Sequence, residues 1–241
     1  MTKRDYPDVF QPAKGITLYR GNCLDILPTL TGVDAVISDP PYGMNWNTNT
    51  LRFSGGQSPL IVRKRGHGKD WGGGVIQDDK PFDPSPWLAY SRVVLFGYNH
   101  FAQRLPVGTT LVWLKKSERL YGKFLSDAEL AWMKGGHGVY VYGKQFPPSV
   151  RAAEHAGAAD TFTAHPTQKP IGLMRWVMER AKVPADALVL DPYMGSGTTG
   201  VACIHTGRRF VGIEIDPTHY ATACRRIENA LAQIPLGIDH L

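Results

Sequence analysis

Short apolar runs recur along the chain and alternate with segments that have helical spacing. Runs rich in β-branched and aromatic residues predict strands at 17–20, 33–38, 93–96, 109–114, 129–133, 139–142, 188–191 and 210–214. Apolar residues at helical spacing predict helices at 23–30 and 87–90, from Pro170 to Pro184, at 201–204, and after Asp216. The residues Gly135-Gly136-His137-Gly138 predict a hairpin-like turn between two of the strands. This alternation predicts an α/β fold.

Two stretches have no apolar periodicity. Residues 43–81 are rich in glycine and asparagine and contain five clustered basic residues, Arg52, Arg63, Lys64, Arg65 and Lys69. A loop of this length inside a compact domain is usually functional or disordered, so a nucleic-acid contact and a solvated insertion both stay open. Residues 143–164 also lack a pattern and carry Lys144 and Arg151.

The length of 241 residues fits one domain, residues 1–241, with inserted segments. A net charge of +6 weakly favours a polyanionic partner. The N-terminus has no apolar core of a signal peptide, and no run approaches membrane-spanning length, so we expect an intracellular protein without a membrane contact. Cys23, Cys203 and Cys224 lack the spacing of metal ligands, and we expect reduced, buried thiols and no metal.

The tetrapeptide Asp39-Pro40-Pro41-Tyr42 follows the strand predicted at 33–38. Strand ends in α/β sheets are where ligands bind. Two prolines stiffen the segment and remove two N–H donors, which leaves carbonyl acceptors, one carboxylate and one aromatic face. Such a segment suits a planar amine as its ligand.

A second chemical signal lies near the end of the chain. The strand at 188–191 leads into a glycine-rich turn, Gly195-Ser196-Gly197-Thr198, and then into a helix. Glu214 ends the next strand about 20 residues later, the offset at which an acidic residue binds ribose hydroxyls. These features predict a nucleoside site. A dinucleotide-binding oxidoreductase would need further strands after Glu214, whereas only one helix follows.

Taken in order, the motifs resemble those of the β-class of amino DNA methyltransferases. The resemblance rests on Asp39-Pro40-Pro41-Tyr42, on the hexapeptide from His165 to Pro170, and on the segment from Asp191 to Gly200. It implies a single Rossmann-like, S-adenosylmethionine-dependent methyltransferase domain. The sheet would be mixed and circularly permuted, with the nucleoside half last in the chain and DNA-recognition loops inserted.

The resemblance also implies roles for individual residues. Asp39, Pro40, Pro41 and Tyr42 would contact the target base. S-adenosylmethionine would be bound by Asn22, Cys23, Asp39, His165, Thr167, Lys169, Asp191, Gly195, Ser196, Gly197, Thr198 and Glu214. At position 22 the family carries an acidic residue that contacts the adenine of the cofactor, so a neutral Asn22 is a departure, and its role as a simple turn residue stays open.

The implied activity is methylation of the N6 amino group of adenine in double-stranded DNA, with base flipping. Asp at position 39, where Ser is the alternative, favours adenine. The N4 of cytosine is the main alternative, followed by an RNA or protein-amide substrate and then by a non-catalytic nucleic-acid-binding module. Residues 43–81 would contact DNA phosphates, and residues 143–164 would read the target. The resemblance further implies a cytoplasmic enzyme of a bacterial or phage-infected cell and leaves a homodimer open.

Overall fold

The computed structural model of the protein describes residues 6–45, 76–123, 126–143 and 168–233. The chain forms two compact units. The smaller unit is Pro41–Phe82, and the larger unit combines Met1–Pro40 with Asp83–Leu241. The boundaries of the smaller unit lie close to those of the segment that the sequence predicts as an insertion.

The larger unit contains an eight-stranded sheet with the order β1-β2-β8-β7-β3-β4-β6-β5. The strands from β2 to β4 in this order run parallel to one another, whereas β1 is antiparallel to β2 and the first part of β6 is antiparallel to β4 and β5. The strands are β1 Val9–Ala13, β2 Ile16–Arg20, β3 Ala35–Ser38, β4 Arg92–Phe96, β5 Gly108–Leu114, β6 Ala128–Tyr142, β7 Leu188–Asp191 and β8 Arg209–Glu214.

The strand order confirms the predicted circular permutation. The last two strands of the chain, β7 and β8, lie in the middle of the sheet between β2 and β3. Because β3, β7 and β8 are parallel, their carboxyl ends share one edge of the sheet. The residues that follow these three strands therefore come together, although the segments that carry them are far apart in sequence.

The α-helices within the described residues lie in the larger unit. They are α1 Cys23–Ile26, α2 Ile171–Arg180, α3 Thr198–Ile204 and α4 Pro217–Ala232. Helix α3 packs on β7 and β8, α4 packs on β1, β2 and β8, and α2 packs on α3. Asp216 caps α4 as predicted, since its Oδ1 accepts hydrogen bonds from the amides of Thr218 at 2.7 Å and His219 at 2.9 Å.

The central strands of the sheet are buried on both faces. Val36, Ile37, Val94, Val189 and Leu190 are completely buried. Such continuous apolar runs are typical of parallel strands that are covered on both faces. The three cysteines are buried as well, as expected, and burial raises the pKa of the Cys203 thiol.

The structure differs from the predicted elements in four respects. Strand β1 was not predicted, because Gln11 and Pro12 interrupt its apolar pattern. The helix predicted at 23–30 changes to a 3-10 turn after Ile26, where Pro28 lacks the amide that would continue it. A 3-10 turn at Ser85–Trp87 replaces the helix predicted at 87–90.

The fourth difference concerns the two strands predicted at 129–133 and 139–142. The structure joins them in the single strand β6 and bends that strand at Gly135 and Gly136, whose φ angles are 82° and 67°. Strand β5 pairs with both parts of β6, since Thr110 is in register with Trp132 and again with Val139. Because the register with β5 descends along the first part of β6 and ascends along the second, the two parts run in opposite directions, as the predicted hairpin-like turn requires.

The smaller unit is described at its two ends, residues 41–45 and 76–82. Asp78 connects them. Its Oδ1 accepts hydrogen bonds from the amides of Gly43 at 2.7 Å and Met44 at 3.2 Å, and its backbone carbonyl accepts one from Asn45 at 2.7 Å. The two ends of the insertion therefore lie side by side.

Candidate functional site

The glycine-rich turn after β7 has a backbone that requires glycine. The φ angles of Gly195 and Gly197 are 52° and 77°, in the left-handed region that other residues seldom adopt. A Cβ atom at Gly197 would lie 3.1 Å from the Cβ of Ala223 in α4. The side of Gly197 where a Cβ would project therefore faces helix α4. Close packing against α4 therefore favours glycine here. The sequence-based prediction rested on ligand approach alone and did not include this reason.

A buried arginine of α4 supports the same turn. The Nη1 atom of Arg226 donates to the carbonyl of Ser196 at 2.5 Å, to the Ser196 hydroxyl at 2.8 Å and to the Thr198 hydroxyl at 3.1 Å. Arg226 is 5% exposed. Arg226 was not predicted as a buried residue, because a charged residue next to the apolar Ile227 is ordinarily expected to face solvent.

Glu214 lies at the end of β8 beside this turn. Its Oε2 accepts a hydrogen bond from the amide of Gly195, and its Oε1 accepts one from the amide of Asp216, both at 2.8 Å. Burial raises the pKa of the Glu214 carboxyl to about 7, although the two amide hydrogen bonds act in the opposite direction. Each carboxylate oxygen can accept more than one hydrogen bond, so these amide contacts leave acceptor capacity for ribose hydroxyls.

Asp191, at the end of β7, connects the turn to the neighbouring strand. It accepts hydrogen bonds from the hydroxyls of Ser38 at 2.6 Å and Thr199 at 2.5 Å, and from the amide of Tyr193 at 3.2 Å. Burial raises its pKa to about 6. Because Ser38 directly precedes Asp39, Asp191 couples the glycine turn to the segment that carries the proposed catalytic carboxylate.

Asn22 and Cys23 follow β2, which is parallel to β8 and ends at the same edge of the sheet. Gly21 donates its amide to the carbonyl of Glu214 at 3.0 Å, which brings the start of α1 close to the end of β8. Asn22 caps α1, and its Oδ1 accepts a hydrogen bond from the amide of Leu24 at 3.1 Å. Cys23 is buried beside Tyr193, and burial raises the pKa of its thiol.

Asp39 follows β3 and forms an ion pair. Its Oδ2 contacts the Nζ of Lys169, which also lies 3.0 Å from Oε2 of Glu129. Lys169 precedes α2, so helix α2 and strand β6 both contribute to this end of the site. Lys169 is also predicted to be a cofactor ligand, and that role stays a prediction beside its contact with the Asp39 carboxylate.

The remaining predicted residues divide into two groups. Pro40 belongs to the larger unit and is buried, whereas Pro41 and Tyr42 begin the smaller unit. A further set lies outside the described residues, namely Arg52, Arg63, Lys64, Arg65, Lys69, Lys144, Arg151, His165 and Thr167. The roles assigned to all of these residues stay predictions.

The part of the chain that the structure describes has neither a candidate metal-binding group nor a helix suited to cross a membrane. Among residues 6–45, 76–123, 126–143 and 168–233, no group of three or more His, Cys, Asp or Glu side chains is placed to bind a metal ion. Within the same ranges, no helix has the length and apolar character needed to cross a membrane.

Parts of the chain are similar to known DNA methylase sequences. Residues 141–225, roughly a third of the chain, match a family profile described as DNA methylase. The DNA adenine methyltransferase YhdJ of Escherichia coli (strain K12) is 42% identical over 71 residues, which cover 30% of this chain and 24% of that protein. The Type II methyltransferase M2.MboI of Moraxella bovis is 25% identical over 239 residues, which cover 83% of each chain. The match with YhdJ thus spans about a quarter of that relative.

Comparisons with solved structures concern the fold. The complex of M1.HpyAVI with SAM has a TM-score of 0.53 and 21% identity, over 87% of this chain and 98% of that chain. The cytosine-N4-specific PvuII DNA methyltransferase has a TM-score of 0.52 and 13% identity, over 90% and 91% of the two chains. The chain therefore has the α/β fold of S-adenosylmethionine-dependent methyltransferases, as predicted.

Proposed function

We propose that this protein is an S-adenosylmethionine-dependent DNA methyltransferase that methylates the N6 amino group of adenine in double-stranded DNA. The observation that carries the proposal is the position of Asp39 and Glu214 at one edge of the sheet. Asp39 directly follows β3, Glu214 ends β8, and Asp191 on the strand between them bonds to Ser38. The match to the DNA methylase profile and the name of YhdJ, a DNA adenine methyltransferase, support DNA as the substrate.

The chemistry needed from Asp39 follows from the nature of the substrate nitrogen. The lone pair of an aromatic amino group is delocalised into the ring, so this nitrogen is a weak nucleophile. If the Asp39 carboxylate and the Pro40 carbonyl accept its two hydrogens, the nitrogen moves towards tetrahedral geometry and its lone pair turns towards the methyl donor. Positioned acceptors of this kind act through electrostatics and orientation, and no covalent intermediate on the protein is needed.

The residues around Glu214 and the glycine turn fit a nucleoside with two ribose hydroxyls. Glu214 is a buried carboxylate whose raised pKa reflects incomplete compensation for burial, and hydroxyl donors would favour its ionised form. Asn22 and Cys23 lie beside it, and the turn from Gly195 to Thr198 lies on its other side. When bound there, S-adenosylmethionine supplies an electrophilic methyl group on a sulfonium sulfur.

The choice between adenine and cytosine rests on two further observations. Asp at position 39 favours adenine in the family that the motifs resemble, and YhdJ is named as an adenine enzyme. The N4 of cytosine is the second candidate, because the PvuII enzyme with the same fold is cytosine-specific. An amino group of RNA or a protein amide presents the same donor geometry to Asp39 and is less favoured by the comparisons.

The DNA contacts are assigned to the two segments without apolar periodicity. A base that stays paired inside a duplex cannot bring its amino group to the partly exposed Asp39 carboxylate, so we infer that the target base flips out and stacks on Tyr42. Basic residues of segment 43–81 would contact phosphates, and segment 143–164 would read the target sequence. DNA as substrate implies the cytoplasm of a bacterial or phage-infected cell. A homodimer stays an untested prediction.

The proposal is tested by transfer of a labelled methyl group. The purified protein is incubated with labelled S-adenosylmethionine and with double-stranded DNA, RNA or a protein extract in separate reactions, and the products are hydrolysed and separated. We expect label in N6-methyladenine from DNA alone. Label in N4-methylcytosine would replace adenine by cytosine in the proposal, and label only in RNA or protein would refute DNA as the substrate.

A further inference from the structure

Four charged side chains form a continuous chain of contacts that begins at Asp39. Lys169 contacts Asp39 and lies 3.0 Å from Oε2 of Glu129, and the Nζ of Lys115 lies 2.9 Å from Oε1 of Glu129. Two carboxylates alternate with two ammonium groups, so the formal charges cancel. We call Asp39, Lys169, Glu129 and Lys115 the charge chain.

Sheet geometry explains why Glu129 reaches this place. Phe96, the last residue of β4, is in register with Ala131 on the antiparallel strand β6. Side chains two positions apart on a strand point to the same face, so Glu129 lies on the face of Ala131 and extends past the end of β4. The ammonium of Lys169 lies 5.2 Å from the centroid of the Phe96 ring, directly at this strand end.

Burial makes the contacts of Lys169 energetically important. Its side chain is only 5% exposed, and a buried ammonium group is costly unless it is paired. Burial alone would lower the pKa of Lys169, but the charges of Asp39 and Glu129 outweigh this effect and raise it. Burial likewise opposes ionisation of Glu129, whereas Lys169 and Lys115 lower its pKa to about 2. Glu129 is therefore an anion at every pH at which an enzyme of this kind is assayed.

We propose that Glu129 is a positioning residue that acts on Asp39 through Lys169. This inference rests on the proposed function. A lysine side chain has four flexible bonds, so one contact with Asp39 would not fix its ammonium group. Glu129 supplies a second contact from a strand, and Lys115 holds the other oxygen of Glu129. With the ammonium held at Oδ2 of Asp39, the carboxylate loses rotational freedom, and since carboxylate oxygens accept several hydrogen bonds, it can still accept from the target amine.

The test uses Glu129→Gln, which keeps the shape of the side chain and removes its charge. We expect kcat to fall about tenfold, because small displacements of reacting groups are costly, while KM for DNA and for S-adenosylmethionine stays unchanged. In the cofactor-free protein, the titration midpoint of the Lys169 ammonium, followed by NMR, should fall. Wild-type kcat in the variant, or an unchanged midpoint, would overturn the positioning role.

Asp127→Asn is the matched control. Asp127 lies 2.9 Å from Lys116, the same separation as in the neighbouring pair of Glu129 and Lys115, but it does not contact Lys169. This variant should keep the wild-type kcat and the wild-type midpoint of Lys169. Loss of kcat in both variants would indicate a general effect of charge on this part of the sheet and would contradict the specific role of Glu129.

A double variant separates action through Lys169 from direct action. In a Lys169→Met background, Glu129→Gln should cause no further loss of kcat, because the residue that transmits its effect is already absent. A further loss of about tenfold would overturn action through Lys169. An inactive wild-type protein would refute the proposed function itself. An active wild-type protein with an unaffected Glu129→Gln variant would refute only the positioning role.

Discussion

The two halves of the sheet edge are stabilised by different kinds of contact. Around the glycine-rich turn, the partners are near in sequence and bond mainly to backbone groups or hydroxyls, since Glu214 is 19 residues from Gly195 and Arg226 is 30 residues from Ser196. At Asp39, the partner Lys169 is 130 residues away and the contact is ionic. The part of the edge with the glycine turn and Glu214, the nucleoside half, is therefore assembled locally. The part with Asp39 and Lys169, the catalytic half, depends on the completed fold.

This difference separates the two functions of the edge. Backbone hydrogen bonds fix the shape of the turn without making it depend on the charges around Asp39. Asp191 connects the halves directly, through its hydrogen bond with Ser38 at 2.6 Å. Substitutions in one half should consequently change either methyl transfer or cofactor affinity, and seldom both.

The largest expected effect is that of Asp39→Ala. Loss of the carboxylate that accepts from the amine should lower kcat by at least about 10²-fold, as for other positioned groups that stabilise a transition state. Affinity for S-adenosylmethionine, measured by calorimetry, should remain close to that of the wild type, because the glycine turn keeps its own contacts. If the variant keeps more than about a tenth of wild-type turnover, the catalytic role of Asp39 is wrong.

The local contacts also explain what the sequence could predict. Strands β2 to β8, the cap at Asp216 and the glycine turn follow from residues that are neighbours in the chain, and the structure agrees with them. The permuted order followed from the order of the motifs. The charge chain could not be predicted, because Glu129 meets Lys169 only after β6 has paired with β4. Glu129 had been assigned to a strand, but nothing in its local sequence distinguishes it from a solvent-exposed glutamate.

Arg226 and Asp78 were missed for the related reason that charged residues are usually exposed. Arg226 is buried against the glycine turn, and Asp78 joins the two ends of the smaller unit. Asp78 accepts from backbone amides, and Arg226 donates to a backbone carbonyl and two hydroxyls, so neither set of partners is evident from the sequence. A charged residue within the apolar face of a helix, as at Arg226, is the one pattern that would have directed attention to it.

Glu214→Gln tests the nucleoside half. Hydrogen bonds to a charged group are stronger than neutral ones, so affinity for S-adenosylmethionine should weaken by at least about tenfold at pH 8 while kcat at saturating cofactor changes little. Because the pKa of Glu214 is about 7, wild-type affinity should rise as the pH rises through 7 and the carboxyl ionises. The variant should lack this dependence in calorimetry. Equal affinity and equal pH dependence in both proteins would place the ribose site elsewhere.

The same carboxyl also affects stability in a direction that can be measured. Burial raises its pKa above the ordinary glutamate value of 4.5, so the folded protein binds more protons than the unfolded chain between pH 4.5 and about 7. The free energy of unfolding should therefore decrease as the pH rises through this window. Denaturant titrations should show a smaller decrease for Glu214→Gln, whereas a larger decrease would contradict the raised pKa. Asp191, with a pKa of about 6, contributes in the same direction in both proteins.

A smaller effect is expected when DNA affinity alone is changed. Arg63→Ala combined with Lys64→Ala should weaken binding by roughly tenfold for all DNA sequences and make the log-log salt slope shallower by about 1 to 2 units, because fewer counterions are released. Neither half of the sheet edge should be affected. A changed target sequence with unchanged salt slope would show that segment 43–81 reads bases, and no change in either property would identify it as a solvated insertion.

The smallest effect is expected at Asn22, where a local structural role and a cofactor contact overlap. Its Oδ1 caps α1 through the amide of Leu24. Asp and Asn cap helices about equally well, so Asn22→Asp should leave the melting temperature unchanged. If the side chain also accepts a hydrogen bond from the amino group of the cofactor adenine, the added charge should tighten S-adenosylmethionine binding by about threefold. Calorimetry measures this difference, and Asn22→Ala serves as the comparison, because it removes both the cap and the contact. Unchanged affinity in Asn22→Asp, together with a lower melting temperature in Asn22→Ala, would mean that Asn22 only caps the helix and that the nucleoside half recognises adenine through other groups.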